Sequence, residues 1–184
     1  MRIVGGRWRG RRINAPEDEG VRPTGDRVRE AWLSIVNAEL PGARVLDLFA
    51  GSGALGFDAL SRGAALVHFV ERAPASLTTL RANADLLGAG SAVVIHPVDA
   101  MQFVDSLPPD AYDVAFADPP YDLGIASAIA ARWLAVPFAH VLGVEHRDAE
   151  SVTGAVDRPT LRCHVSAERT RWPFRHIVAG RLHR

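Results

Sequence analysis

The chain of 184 residues contains no lysine; all 21 of its basic residues are arginine. Its single cysteine, Cys163, can form no internal disulfide and reads as an ordinary strand residue. No apolar run approaches the roughly 18 residues that a membrane-spanning helix requires, so a soluble protein is expected. The opening Met1-Arg2-Ile3-Val4-Gly5-Gly6 lacks the apolar stretch and small-residue cleavage site of a secretory signal, and a cytoplasmic location follows as an expectation. Ligand-type spacing is also missing. His68, His96, His140, His146 and His164 are scattered, and no metal site is expected.

An excess of charge of either sign is likewise absent, since 21 basic residues face 21 acidic ones. Such a balance argues against a nucleic-acid partner until the charges are placed along the chain. Arg2, Arg7, Arg9, Arg11 and Arg12 crowd the first fourteen residues without an acid among them. Arg158, Arg162, Arg169, Arg171, Arg175, Arg181 and Arg184 accompany the single acid Glu168 at the other end. The middle is acidic, so any basic surface must be assembled from the two ends.

Residues 2 to 14 read as a β-hairpin turning at Gly5-Gly6, with Arg7, Arg9 and Arg11 on one face and Trp8, Gly10 and Arg12 on the other. This predicts a basic extension and linker over residues 1–20 that stands off a main domain of residues 21–184. Removing the extension should then leave the rest intact. Thr24 is placed as an N-cap before Val28, Trp32, Ile35 and Val36 at helical spacing. Strands and helices then alternate. Strands are predicted at 44–49, 65–71, 91–98, 112–117 and 138–145, and helices at 54–62, 74–87, 101–107 and 123–134. This alternation implies a parallel sheet covered on both faces. Two final strands, 161–167 and 174–181, should pair as an antiparallel hairpin.

Gly51-Ser52-Gly53-Ala54-Leu55-Gly56 lies where the first strand meets a helix, where glycine lets backbone approach a ligand at the helix N-terminus. The same pattern serves dinucleotide-binding dehydrogenases, or marks nothing more than a tight turn. Three acids narrow the choice. Asp47, inside the apolar run Val45 to Phe49, can order the loop and reach an amino group. Glu71, at the end of the second strand, can accept from both hydroxyls of a ribose. Asp99, after the third strand, can take an adenine amine while the N–H of Ala100 answers the ring nitrogen. Phe49 and Arg72 complete the expected cofactor set. A ribose, an adenine and an amino-acid tail together describe S-adenosylmethionine.

Asp118-Pro119-Pro120-Tyr121 ends the fourth strand, at the carboxyl edge where open α/β sheets bind ligands. Tandem proline fixes the backbone and removes donors, leaving a wall of acceptors. Acceptors suit an exocyclic base amine, because taking both its N–H protons favours a pyramidal nitrogen and stabilises the charge that grows as a methyl group arrives. Tyr121 would stack on the base.

Together with Arg22-Pro23-Thr24-Gly25-Asp26-Arg27-Val28-Arg29-Glu30 and the opening Met1 to Arg11, these motifs closely resemble the bacterial 16S ribosomal RNA guanine-N2 methyltransferases of the RsmD type. The resemblance covers nearly the whole chain and is least distinctive over the last sixty residues. It implies a class I methyltransferase fold, Rossmann-like, of seven strands with one antiparallel, acting on one guanine of small-subunit RNA; a monomer is expected. Arg7, Trp8, Arg9, Arg11, Arg12, Arg22 and Arg27 are its expected RNA contacts. Two other readings compete: a DNA amino-methyltransferase for adenine N6 or cytosine N4, which shares the Asp-Pro-Pro-Tyr motif, and a non-catalytic RNA-binding assembly factor. A nicotinamide-dependent oxidoreductase would keep the glycine loop and Glu71 but has no use for the Asp-Pro-Pro-Tyr segment.

Overall fold

The computed structural model describes residues 1–16, 26–120, 124–147, 161–166 and 174–181; the last two segments, and positions 27, 28, 146 and 147, are described as backbone. Five helices, α1 (Asp26–Ile35), α2 (Ala54–Ser61), α3 (Pro74–Leu87), α4 (Ala100–Asp105) and α5 (Ile125–Ala135), alternate with β1 (Arg44–Leu48), β2 (Leu66–Val70), β3 (Val93–His96), β4 (Tyr112–Ala117) and β5 (Ala139–Arg147). The chain closes on β6 (Leu161–Ser166) and β7 (Phe174–Arg181). The seven strands form one sheet in the order β3-β2-β1-β4-β5-β7-β6. Strands β1 to β5 pair in parallel; β7 runs antiparallel to both β5 and β6 and is the one reversed strand. The expected terminal hairpin is present, and Cys163 lies within it.

Central parallel strands bury both faces, which is why they read as apolar runs. Alternate residues feed two cores. Val45, Val67, Phe69, Val114 and Phe116 pack on the face that carries α1, α2 and the N-terminal segment. Leu46, Leu48, Val70, Ala115, Ala117, Leu142 and Val144 pack on the other, with Ile129 and Trp133 of α5. Local signals set the helix ends. Pro74 opens α3, where a missing N–H costs nothing, and Gly88 ends it in the left-handed conformation with φ 64°. Arg29, Trp32 and Leu33 of α1 and Val36 just beyond it are buried, while Ile35, expected on that face, is 40% exposed. Thr24, the expected cap of α1, lies outside the described residues.

The N-terminal segment departs from the expected hairpin. Arg2 bridges Arg12, the Ile3 N–H donates to Arg11 O at 2.9 Å, and Gly10 N–H donates to Ile3 O at 2.9 Å. The turn is therefore a broad loop holding a 3-10 turn at Gly6–Trp8 instead of a tight Gly5-Gly6 reversal. A 3-10 turn breaks strand alternation, so the two-faced division of Arg7, Trp8, Arg9 and Arg11 does not hold.

Nor does the segment stand apart. Ile3, Trp8 and Ile13 are buried in the same core as Trp32, Phe57 and Phe69. Backbone N–H groups of Val4 and Gly5 donate to Asp58 Oδ1 at 2.7 and 3.3 Å, and Trp8 N–H donates to Ser61 Oγ at 2.8 Å. Arg29 completes this seam, donating to Asp58 Oδ2 at 3.2 Å and to Arg2 O at 2.7 Å. Every residue of α2 is buried, because the sheet covers one side of the helix and the segment covers another. The boundary expected at residue 20 falls outside the described residues.

Candidate active site at the carboxyl edge of the sheet

Strand order reverses between β1 and β4, and the crevice beyond their carboxyl ends is where open α/β sheets take ligands. Chain leaving β1 enters the glycine loop in an unusual conformation. Phe49, with a bulky side chain, has φ 59°, which costs about 1 to 2 kcal/mol and belongs to positions that the surroundings force. Two hydrogen bonds supply that force: Ala50 N–H to Val70 O at 3.1 Å and Gly53 N–H to Ala50 O at 2.7 Å.

The three glycines of the loop do different work. A Cβ on Gly51, which has φ 54°, would meet nothing within 4 Å, so this residue borders open space. A Cβ on Gly53 would lie 2.4 Å from Leu80 Cδ1, and one on Gly56 would lie 2.3 Å from the Phe69 ring. Gly56 therefore lets α2 sit close on β2, Gly53 lets Leu80 of α3 and Phe57 of α2 close over the loop, and Gly51 leaves room for a ligand.

Carboxylates surround the loop. Asp47 Oδ2 accepts the Gly56 N–H at 2.9 Å, and the side chain is 3% exposed. Burial pushes its pKa up to about 8 against the Gly56 hydrogen bond, and the negative charges of Asp118 and Glu71 push in the same direction. Glu71 clamps the loop to the start of α3. Its Oε2 accepts from Gly51 N–H at 2.8 Å, and its Oε1 accepts from Arg72 and Ala73 N–H, each at 2.8 Å. A carboxylate oxygen has two acceptor positions, so Oε1 is filled and Oε2 keeps one, enough for a single ribose hydroxyl.

Asp99 is the N-cap of α4, its Oδ1 accepting from Met101 N–H at 2.9 Å and Gln102 N–H at 3.2 Å. Its Oδ2 accepts from Arg72 at 3.0 Å in an exposed pair. Ala100 follows as the first residue of α4 and is buried. On β4, Ala117 pairs with Leu48, which sets Asp118 beside the start of the glycine loop. Asp118 is half-buried, Pro119 buried and Pro120 exposed. Tyr121 lies outside the described residues.

The expected RNA contacts divide. Arg7, Arg9, Arg11 and Arg12 are exposed. Arg11 donates to Leu86 O at 2.6 Å. Trp8 departs from the expectation: the residue is 8% exposed, packed into the core with the Arg7 guanidinium 4.3 Å from its ring centroid, and offers no face for a base. Arg22 lies outside the described residues, and Arg27 is described only as backbone within α1.

Three features were not read from the sequence. Asn83 donates to Ser52 O at 2.9 Å and to Asn14 O at 3.1 Å, joining the glycine loop, α3 and the N-terminal segment. The scattered histidines include a cluster in space, with His96 Nε2 3.0 Å and the Tyr112 hydroxyl 2.9 Å from His68 Nδ1. Among the described residues no group fit for a metal occurs. Glu145, near the end of β5, is 5% exposed. Strand register could have placed both the histidine pair and Glu145, since His96 faces Val70 across β2–β3 and Val144 faces Ala117 across β4–β5.

A sheet of this order with β7 alone reversed, carrying a glycine loop after β1, an acid at the end of β2 and Asp-Pro-Pro after β4, is a class I methyltransferase fold. Residues 1–154 match the family model described as Conserved hypothetical protein 95, and the chain belongs to that family, which is the RsmD type. It is 42% identical over 125 residues to the ribosomal RNA small subunit methyltransferase D of Escherichia coli, covering 68% of this chain and 62% of that protein. To the Haemophilus influenzae protein of the same name it is 39% identical over 130 residues, covering 68% and 66%. The chain thus spans a little under two thirds of those relatives' lengths. The solved structure of yhhF from Escherichia coli superposes with a TM-score of 0.81 at 30% identity, covering 100% of this chain and 99% of that one. No helix among the described residues is long and apolar enough to cross a membrane.

Proposed function

We propose that the protein transfers a methyl group to the exocyclic N2 amine of a guanine in 16S ribosomal RNA, as a monomer in the cytoplasm. The observation that carries this reading is the placement of Asp118-Pro119-Pro120 at the carboxyl end of β4, beside the glycine loop and close enough for the Asp118 charge to act on Asp47. Relatives named as small-subunit ribosomal RNA methyltransferases support the choice of RNA.

The residues fit S-adenosylmethionine. Gly51 borders open space, Glu71 has acceptor capacity at the end of β2, and Asp47 is a desolvated carboxyl group poised for an amino group. When bound, that cofactor supplies an electrophilic methyl on a sulfonium. The chain supplies the rest. Glu71 holds the loop against β2 and would take one ribose hydroxyl on Oε2. Asp99 and Ala100 would meet the adenine, with Arg72 holding the Asp99 carboxylate. The Asp118 carboxylate accepts one N–H of the base amine and the Pro119 carbonyl the other. Both acceptors localise the nitrogen lone pair and stabilise the positive charge that develops on it. Arginines of the N-terminal segment, with Arg22 and Arg27, hold RNA phosphates.

Asp118→Ala should keep S-adenosylhomocysteine affinity and lower the single-turnover rate by about 10² to 10³. A wild-type rate in that variant would refute the mechanism. Nucleoside mass spectrometry of ribosomal RNA from cells with and without the gene tests the substrate. Loss of N2-methylguanosine is expected. Loss of N6-methyladenosine or N4-methylcytosine instead would overturn the assignment.

A further inference from the structure

Asp118 has a second carboxylate as its neighbour. The last pair of the parallel β4–β5 ladder is Ala117 with Val144, so Asp118 and Glu145 are the residues that directly follow on two strands running about 4.8 Å apart. They also share a face. Leu142 and Val144 pack into the core on the α5 side, together with Ala117, whereas Val141 and Phe116 pack on the opposite side. Strand alternation puts Glu145 with Val141, and Asp118 with Phe116, on the face that also carries Asp47. Glu145 is therefore a carboxylate withdrawn from water, 5% exposed, next to the residue that receives the base amine.

We infer that Glu145 selects guanine by accepting its ring N1–H while Asp118 and Pro119 accept from N2. This inference rests on the reading of the site as a base amino-methyltransferase. The bases differ in the donors they present. Guanine presents two adjacent donors on this edge, the N1 imino proton and the N2 amine. Adenine presents a bare N1 beside its amine, and cytosine a bare N3. A row of carboxylates matches two donors. Set against a ring nitrogen lone pair, the second carboxylate is repulsive, and discrimination by an unpaired or opposed group is the stronger kind. Asp-Pro-Pro alone accepts from any of the three amines, so the neighbouring strand would decide between them.

The test uses a small-subunit RNA segment containing the modified guanine, located first by mass spectrometry of oligonucleotides from that RNA with and without the gene, and the same segment with 2-aminopurine or inosine at that position. Inosine keeps N1–H and lacks the amine; 2-aminopurine keeps the amine and has a bare N1. Wild-type protein should methylate guanine RNA at least tenfold faster, in kcat/KM, than 2-aminopurine RNA. Glu145→Gln replaces one acceptor position with an N–H donor that suits a bare N1. It should lose about 10- to 100-fold on guanine and narrow the guanine to 2-aminopurine ratio at least tenfold, with S-adenosylhomocysteine affinity within twofold of wild type. An unchanged ratio would overturn the inference. Should the variant not fold, competition on the wild type decides: inosine RNA should inhibit guanine methylation at least tenfold better than 2-aminopurine RNA, and equal inhibition overturns the role of Glu145. A wild type that methylates no guanine refutes the proposed function itself, a result separate from either of these.

Discussion

Replacing Asp47 with asparagine should make the protein more stable, and increasingly so as pH rises. The carboxyl group is buried with one hydrogen bond, from Gly56 N–H, and its pKa is raised from the ordinary 3.8 to about 8. Below pH 4 it is neutral in both folded and unfolded chains. Between pH 4 and 8 the unfolded chain ionises it while the folded chain holds it protonated, so this group's contribution to stability is lost as pH rises through that window. The full difference corresponds to about 6 kcal/mol, and to about 1.4 kcal/mol for each pH unit inside the window. Asparagine keeps an acceptor for Gly56 and does not titrate. The gap in unfolding free energy between Asp47→Asn and wild type should therefore widen by about 2 to 3 kcal/mol from pH 5 to pH 7. At a urea slope of about 2 kcal/mol per molar, that moves the midpoint by about 1 to 1.5 M. Urea titrations of both proteins at a series of pH values measure it, and other titrating groups cancel in the difference. A gap that stays constant or narrows with rising pH would refute the reasoning. Weaker S-adenosylhomocysteine binding by the more stable variant would be the stability cost that a ligand site carries.

Arg29→Met strands the Asp58 carboxylate, 0% exposed, without the guanidinium 3.2 Å away, and should cost about 3 to 5 kcal/mol in urea unfolding. Tyr112→Phe removes the hydroxyl 2.9 Å from His68 Nδ1 and should cost about 1 kcal/mol at neutral pH. Burial lowers the pKa of His68 and His96, helped at His68 by the charges of His96 and Arg44. A histidine held neutral in the fold takes up its proton first in the unfolded chain, so its contribution is lost as pH falls below about 6.5 toward the lowered folded value. His68→Leu should therefore soften the fall in stability between pH 6.5 and 5, and an equal fall in the variant would count against the cluster. Truncation of residues 1–14 should destabilise the whole domain, seen as a broadened or absent thermal transition.

Elements were legible where each depends on its own residues. The buried strands β1, β2, β4 and β5 announce themselves as apolar runs, Pro74 marks the start of α3, and the acids at strand ends follow from where those strands stop. What depends on distant partners was not legible. The 3-10 turn at Gly6–Trp8 is set by Asp58 and Ser61, more than fifty residues away, and tight local turn chemistry at Gly5-Gly6 gave the wrong answer for that reason. His68 and His96 look scattered until the β2–β3 register brings them to one face. Asp99 has two employments, a helix cap and an acceptor at the site's edge, and the chain alone does not rank them. Glu145 is one acid among many until β5 is laid beside β4.

The N-terminal segment shows how one stretch can serve two roles that sequence reasoning set against each other. Its apolar residues Ile3, Trp8 and Ile13 are core, and Asn14 meets the glycine loop through Asn83, so truncation would remove core and loop support together and could say nothing about RNA. Its arginines are separable from that work. Arg2 pairs with Asp26 and Arg11 donates to Leu86 O, whereas Arg7, Arg9 and Arg12 are exposed and lie on a loop pinned rigidly to α2. A pinned loop spends little conformational entropy in holding its guanidinium groups toward a phosphate backbone. Substituting Arg7, Arg9 and Arg12 together with glutamine should leave the melting temperature and S-adenosylhomocysteine affinity close to wild type. If each neutralises one phosphate, the slope of log RNA affinity against log salt should flatten by about 2 to 3. RNA binding across a salt series measures that slope. An unaltered slope in a folded triple variant would remove this loop from the RNA interface and leave the arginines from Arg158 onward as the basic surface.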